Sequence, residues 1–114
     1  MYIRNSDQLI QNGGSEALRK LRGDAITVLE AALNSIDPYK AVLNNLKIVD
    51  GKLRVGNFEA SLDDLGKIVV IGGGKAGGAM AEAVESVLGD HVSGGCVNIL
   101  QGTEFRYSLK RIRL

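Results

Sequence analysis

The chain has 114 residues, a formal net charge of +1, 45% hydrophobic and 24% charged residues. That length fits one domain with a real core, and the composition is that of a folded chain rather than a disordered one. A balance so close to neutral provides no global field for nucleic acid or a membrane surface, and no run approaches the roughly 20 apolar residues needed to span a bilayer.

Residues 1–14 are polar and end in Asn12-Gly13-Gly14, which reads as an arm or a short helix before a turn. The first residues lack the basic-then-apolar order of a signal peptide. Ser15 is a good helix cap, and Glu16 suits the first turn. Beyond it Leu18, Leu21, Ala25, Val28, Ala32 and Ile36 recur in steps of three and four, and Ile26, Leu29 and Leu33 widen the stripe. This spacing predicts one amphipathic helix. Gly23 weakens it by about 1 kcal/mol, so packing of the stripe is expected to compensate. Asp37-Pro38 restarts the chain as a second, shorter helix carrying Tyr39, Val42, Leu43 and Leu46.

Asp50-Gly51 lies between the β-prone runs 47–49 and 52–55 and predicts a hairpin. Phe58 and Leu62 add packing before the polar Asp63-Asp64 turn. Lys67-Ile68-Val69-Val70-Ile71 then reads as a strand buried on both faces, as in parallel sheets. A glycine turn follows, then a helix from about Lys75 to Leu88 with Met80, Ala83, Val84 and Val87 inward, stopped by Gly89. Gly94 to Leu100 reads as a second parallel strand. The expected fold is α/β in two or three layers: a Rossmann-like βαβ unit preceded by N-terminal helices and a β-hairpin, its sheet incomplete.

The chemistry concentrates at Gly72-Gly73-Gly74-Lys75-Ala76. A strand, a tight glycine turn and a helix make an anion site, because the first helical amides lack internal acceptors and the helix dipole adds positive charge. Gly72-x-Gly74-x-x-Gly77 matches the dinucleotide fingerprint. The strand ending near Leu100 is followed by Gln101-Gly102, however, without the usual ribose-binding acid, which argues against a nicotinamide domain. A phosphate loop of the Walker type fails as well. Ala76 offers no hydroxyl to magnesium, and Val69 stands where that loop has its first glycine. Lys75 opposes the helix dipole, a local conflict typical of functional positions.

Elsewhere the signals are weaker. Cys96, the single cysteine, has no disulfide partner and fits a reducing, cytoplasmic setting. Its apolar strand suggests a core position, as Met80's helix does for Met80. His91 is a surface residue without a nucleophile–acid set around it. Arg106, Lys110, Arg111 and Arg113 make a basic tail, read as a solvated face with Leu109, Ile112 and Leu114 packed behind it. Without an aromatic platform it does not carry nucleic-acid binding.

In order along the chain, Leu21-Arg22-x-Asp24-Ala25, Ala31-Ala32-Leu33, Asp37-Pro38-Tyr39-x-Ala41-Val42, Leu53-Arg54-Val55-Gly56, the Gly72–Ala76 turn, Met80-Ala81, Leu88-Gly89, Gly94-Gly95-Cys96-Val97-Asn98 and Gly102-Thr103 resemble the type II glycerate kinases. These are the glycerate 2-kinases that carry the MOFRL domain. The resemblance covers roughly residues 17–114. It implies transfer of the γ-phosphoryl group of ATP to the 2-hydroxyl of D-glycerate, with a divalent cation such as magnesium, in a cleft between two domains. It makes Lys75 the candidate catalytic residue, and Gly72, Gly73, Gly74, Lys75 and Ala76 the candidate cofactor-binding residues. No metal ligand is assigned.

Members of that family run to several hundred residues. The expectation is therefore an arm, 1–14, followed by a truncated nucleotide- and substrate-binding domain, 15–114, inactive alone. Unpaired strand edges and an exposed apolar face would favour a homo-oligomer or a complementary fragment as partner. The competing reading is a non-catalytic interaction or assembly module that retains the fold.

Overall fold

A computed structural model describes residues 2–114. The chain divides into two compact units, one ending at Asp37 and the other beginning at Pro38.

The first unit contains α1 (Ser6–Gln11) and α2 (Glu16–Ser35). The predicted cap is present: Ser15 accepts from the Leu18 amide at 3.2 Å. Arg19 and Arg22 of α2 donate to the Gly13 and Leu9 carbonyls at 3.0 and 2.8 Å, tying the preceding turn and α1 to the long helix. Glu30 accepts from the amides of Tyr2 and Ile3, and the Tyr2 hydroxyl donates to Asp37 Oδ2 at 2.6 Å. The apolar stripe of α2 departs from expectation. None of the residues of α2 is buried, and Leu18, Leu21, Val28, Leu29 and Ile36 are exposed. Periodicity shows that a helix has an apolar face; what covers that face depends on tertiary contacts the pattern does not encode.

The second unit opens with α3 (Pro38–Asn45) and an antiparallel meander: β1 (Leu46–Val49), β2 (Lys52–Val55) and β3 (Phe58–Ser61). Asp50 and Gly51 adopt φ of 51° and 72°, the left-handed pair that a tight hairpin requires. The third strand adds to the expected hairpin. Its Glu59 is held by Lys52 and Arg54 of β2 at 2.8 and 2.6 Å.

A parallel sheet follows in the order β4-β5-β6, formed by β4 (Ile68–Gly73), β5 (Val92–Asn98) and β6 (Ile112–Arg113). Helix α4 (Gly77–Leu88) connects β4 to β5. It packs on α3 and β1 on one side and on the parallel sheet on the other. Ala81, Leu88, Val92, Val97 and Ile112 join Leu46 and Leu53 of the meander in one core. Ile112 is buried while Arg113 is exposed, as expected for the alternating tail.

Two expected core residues lie elsewhere. Met80 is 44% exposed because it lines open cavities beside the glycine turn and α3. Cys96 is exposed as well. Side chains alternate along a strand, and its neighbour Val97, 3% exposed, takes the face toward α4. The same geometry leaves Val69 and Ile71 of β4 exposed at 59% and 82%. The strand is thus covered on one face rather than both. No helix of the described residues is long and apolar enough to cross a membrane.

Candidate functional site at the glycine turn

The five site residues predicted from the sequence stand together at the C-terminal end of β4. Gly72 and Gly73 close the strand, Gly74 to Ala76 form the turn, and the helix begins at Gly77, two residues later than expected. All five are exposed. Gly74 has φ of 124°, a conformation other residues rarely adopt, so the sharp bend depends on it. The Gly77 amide donates to Gly74 O at 3.0 Å and the Met80 amide to Ala76 O at 3.0 Å, which fixes the turn on the first helical coil.

Gly77 serves a different purpose. A Cβ there would come within 2.8 Å of Val97 Cγ1, so its absence lets α4 approach β5 closely. This is the packing role of the third glycine in a dinucleotide turn. Gly72 has no such constraint, since a Cβ there meets Val97 only at ordinary contact distance.

Lys75 thus stands in the turn, ahead of the helix, beside amides that the helix does not use. A cavity of about 410 Å³ adjoins the turn, lined by Gly72 to Gly77 with Val70, Met80 and Val84 as apolar walls. That volume suits a small ligand. An exposed turn carrying one ammonium fits a polyphosphate or a carboxylate. Resident magnesium finds no counterpart: no group of three or more His, Cys, Asp or Glu comes together among the described residues.

Sequence reasoning passed over one residue of this region. β5 ends at Asn98 rather than Leu100, because Leu100 already accepts from Thr103 in the next turn, where Gly102 takes φ of 79°. Asn98 pairs in register with Gly73, and its carbonyl accepts from the Gly74 amide at 2.9 Å. Nothing in the sequence marks that strand end; it follows from the register with Gly73.

A second concavity, about 280 Å³, lies at the far end of α4. Its acids are engaged. Glu85 accepts from the amides of Lys110, Arg111 and Ile112, Glu82 accepts from the Ser108 amide, and Asp90 pairs with Arg111 at 2.6 Å. Burial alone would push the Glu85 carboxyl up, but the three amides outweigh it and hold the group below the usual carboxylate range.

The fold and the turn define an α/β unit of the strand–glycine turn–helix type. Residues 24–114 match the family described as a domain of unknown function, DUF4147, and the chain belongs to that family. It is 36% identical over 96 residues to the glycerate 2-kinase of Pyrococcus horikoshii, an alignment covering 82% of this chain and 20% of that protein. The crystal structure of a protein from Pyrococcus horikoshii OT3 superposes with a TM-score of 0.64 at 35% identity, over 82% of this chain and 20% of the other. The chain therefore spans about one fifth of the length of the relatives it matches.

Proposed function

We propose that residues 15–114 form the nucleotide- and substrate-binding part of a glycerate 2-kinase, in which the glycine turn and Lys75 hold a phosphorylated ligand. The observation that carries this reading is the placement of Lys75. A full positive charge stands in an exposed glycine turn ahead of helix α4, at the C-terminal end of a parallel strand, where ligands of such sheets bind. The identity to a glycerate 2-kinase supports ATP as phosphoryl donor and D-glycerate as acceptor.

Phosphoryl transfer needs little covalent help from the protein; it needs positioning and neutralised charge. The amides of the turn orient the phosphates, and the Lys75 ammonium offsets charge on the transferring group or on the acceptor's carboxylate. The chain spans about one fifth of the relative's length, and the reading places this part in a reducing, cytoplasmic setting.

Calorimetric titration of ATP with magnesium, and separately of D-glycerate, into wild type and Lys75→Ala tests the reading. The expected result is saturable binding that weakens at least about tenfold in the variant. Absence of binding by the wild type at millimolar ligand refutes it.

A second reading has its own observation. Val69 and Ile71 expose an apolar strand face beside an open edge. An assembly module that keeps the fold and pairs with a second copy or a complementary fragment would use that surface.

A further inference from the structure

The assembly reading leaves open how a second chain would be held. We infer that β4 pairs antiparallel, edge to edge, with β4 of a second copy, which joins two three-stranded parallel sheets into one continuous sheet. The inference rests on that assembly reading and deepens it, because it names the partner and the register.

Strand β4 pairs with β5 on one side and with no strand on the other among the described residues. Main-chain groups alternate in direction along a strand. The Ile68 amide donates to Ser93 Oγ at 3.2 Å, the Val70 carbonyl lies against Gly95, and the Gly74 amide donates to Asn98 O at 2.9 Å. Residues 68, 70, 72 and 74 therefore address β5, and the amides and carbonyls of Val69, Ile71 and Gly73 point out of the free edge. Proteins that keep such an edge single blunt it with a charge, a proline or a bulge. Ile68–Gly73 carries no charge and no proline, and the extra residue in the ladder, Ser93, falls on β5.

The edge is also self-complementary. A two-fold axis through Val70, perpendicular to the sheet, sets Val69 of each copy opposite Ile71 of the other, and Val70 opposite Val70. The Val69–Ile71 pairs exchange hydrogen bonds, because their main-chain groups point outward, and Val70–Val70 is the non-bonded pair between them. Directly opposite residues share a face, so the exposed Val69 and Ile71 gain β-branched neighbours. On the other face Val70, Met80 and Val84, apolar walls of the cavity at this edge, come to face the second copy. Moving the axis to Ile71 keeps the hydrogen bonds but sets Val69 against Gly73 and Val70 against Gly72, which buries less apolar surface.

Edge pairing covers neither face of the sheet. Cys96, one strand in from the edge, stays accessible in such a dimer, whereas face-to-face stacking would bury it.

The test uses the full chain, in sedimentation velocity and thiol labelling. Wild type is expected to dimerise with Cys96 still reactive. Ile71→Pro removes an outward amide that β5 does not use, and should raise the dimer Kd at least about tenfold through the bond lost from each copy. If it fails to fold by circular dichroism, Val69→Lys combined with Ile71→Lys takes its place, since it sets like charges opposite each other only in the dimer. In a Cys96→Ser background, Val70→Cys should form a disulfide-linked dimer on oxidation. Ile71→Cys should not, because its two copies stand diagonally, roughly 7–8 Å apart. A dimer that ignores Ile71→Pro, or that protects Cys96, overturns edge pairing and leaves assembly through the face. Linkage through Ile71→Cys in place of Val70→Cys overturns the register. A wild type that stays monomeric at millimolar concentration overturns the inference and leaves a complementary fragment as the partner in the assembly reading.

Discussion

Replacing Glu85 should loosen one end of the parallel sheet while leaving the other end intact. Its carboxylate receives three consecutive amides, from Lys110, Arg111 and Ile112, and so fastens the segment leading into β6 to helix α4. Hydrogen bonds to a charged group contribute about 1.5–3 kcal/mol each, but three on one carboxylate do not add. Lys110 and Arg111 are exposed, so water can take over their amides. Ile112 is 4% exposed, and its amide stands to lose the most. We therefore expect Glu85→Ala to cost about 2 kcal/mol and Glu85→Gln, which keeps one acceptor oxygen, about half of that. Urea denaturation gives the totals. Amide hydrogen exchange places them: Ile112 should exchange about thirtyfold faster in Glu85→Ala, with the β1–β2 hairpin much less affected. Unchanged exchange at residues 110–112 would refute the clamp.

Other outcomes follow from the same contacts. Gly77→Ala should destabilise by about 1–3 kcal/mol, since its Cβ would meet Val97 Cγ1 at 2.8 Å, and Val97→Ala should recover part of the loss in a double-mutant cycle measured by urea unfolding. Lys75→Ala should change stability by less than about 0.5 kcal/mol, so that its loss of ligand binding is not a folding defect; thermal melts check this. The carboxyls of Glu30, Glu59 and Glu85 are all held below 4.5, chiefly by amides for Glu30, by Lys52 and Arg54 for Glu59, and by amides acting against burial for Glu85. The unfolded chain then binds more protons than the folded one in acid. Stability should be level above about pH 4.5 in this respect and fall as pH drops through the lowered values, which denaturation midpoints across pH 2–6 will show.

Much of this architecture was legible because its determinants are local. The hairpin follows from Asp50-Gly51, the α2 start from Ser15, and the βαβ unit from a Val/Ile run, a glycine turn and an amphipathic helix. The third strand was not, since Phe58-Glu59-Ala60-Ser61 alternates over only four residues. It pairs with β2 across the two-residue Gly56-Asn57 turn. Cys96 could have been placed from period two alone: with Val97 turned inward, its neighbour turns outward. Met80 and the α2 stripe could not, because their exposure depends on which neighbours stand beside β4 and α2. The five residues of the turn were found from their order, whereas Asn98 required the strand's true end and its register with Gly73.

The outward turn of Cys96 also decides between the two readings of the exposed sheet face. Cys96 is the register partner of Ile71, so its thiol reports on the same surface as the apolar residues of β4. Parallel sheets are ordinarily covered on both faces, which gives a second copy or fragment something to bury. If copies associate through this face, the thiol should react freely with a disulfide reagent at low protein concentration and become protected as concentration rises. The sedimentation coefficient should increase over the same range. If the chain stays monomeric, the exposed thiol should react at a concentration-independent rate. Concentration-independent labelling together with monomeric sedimentation would remove self-association through this face.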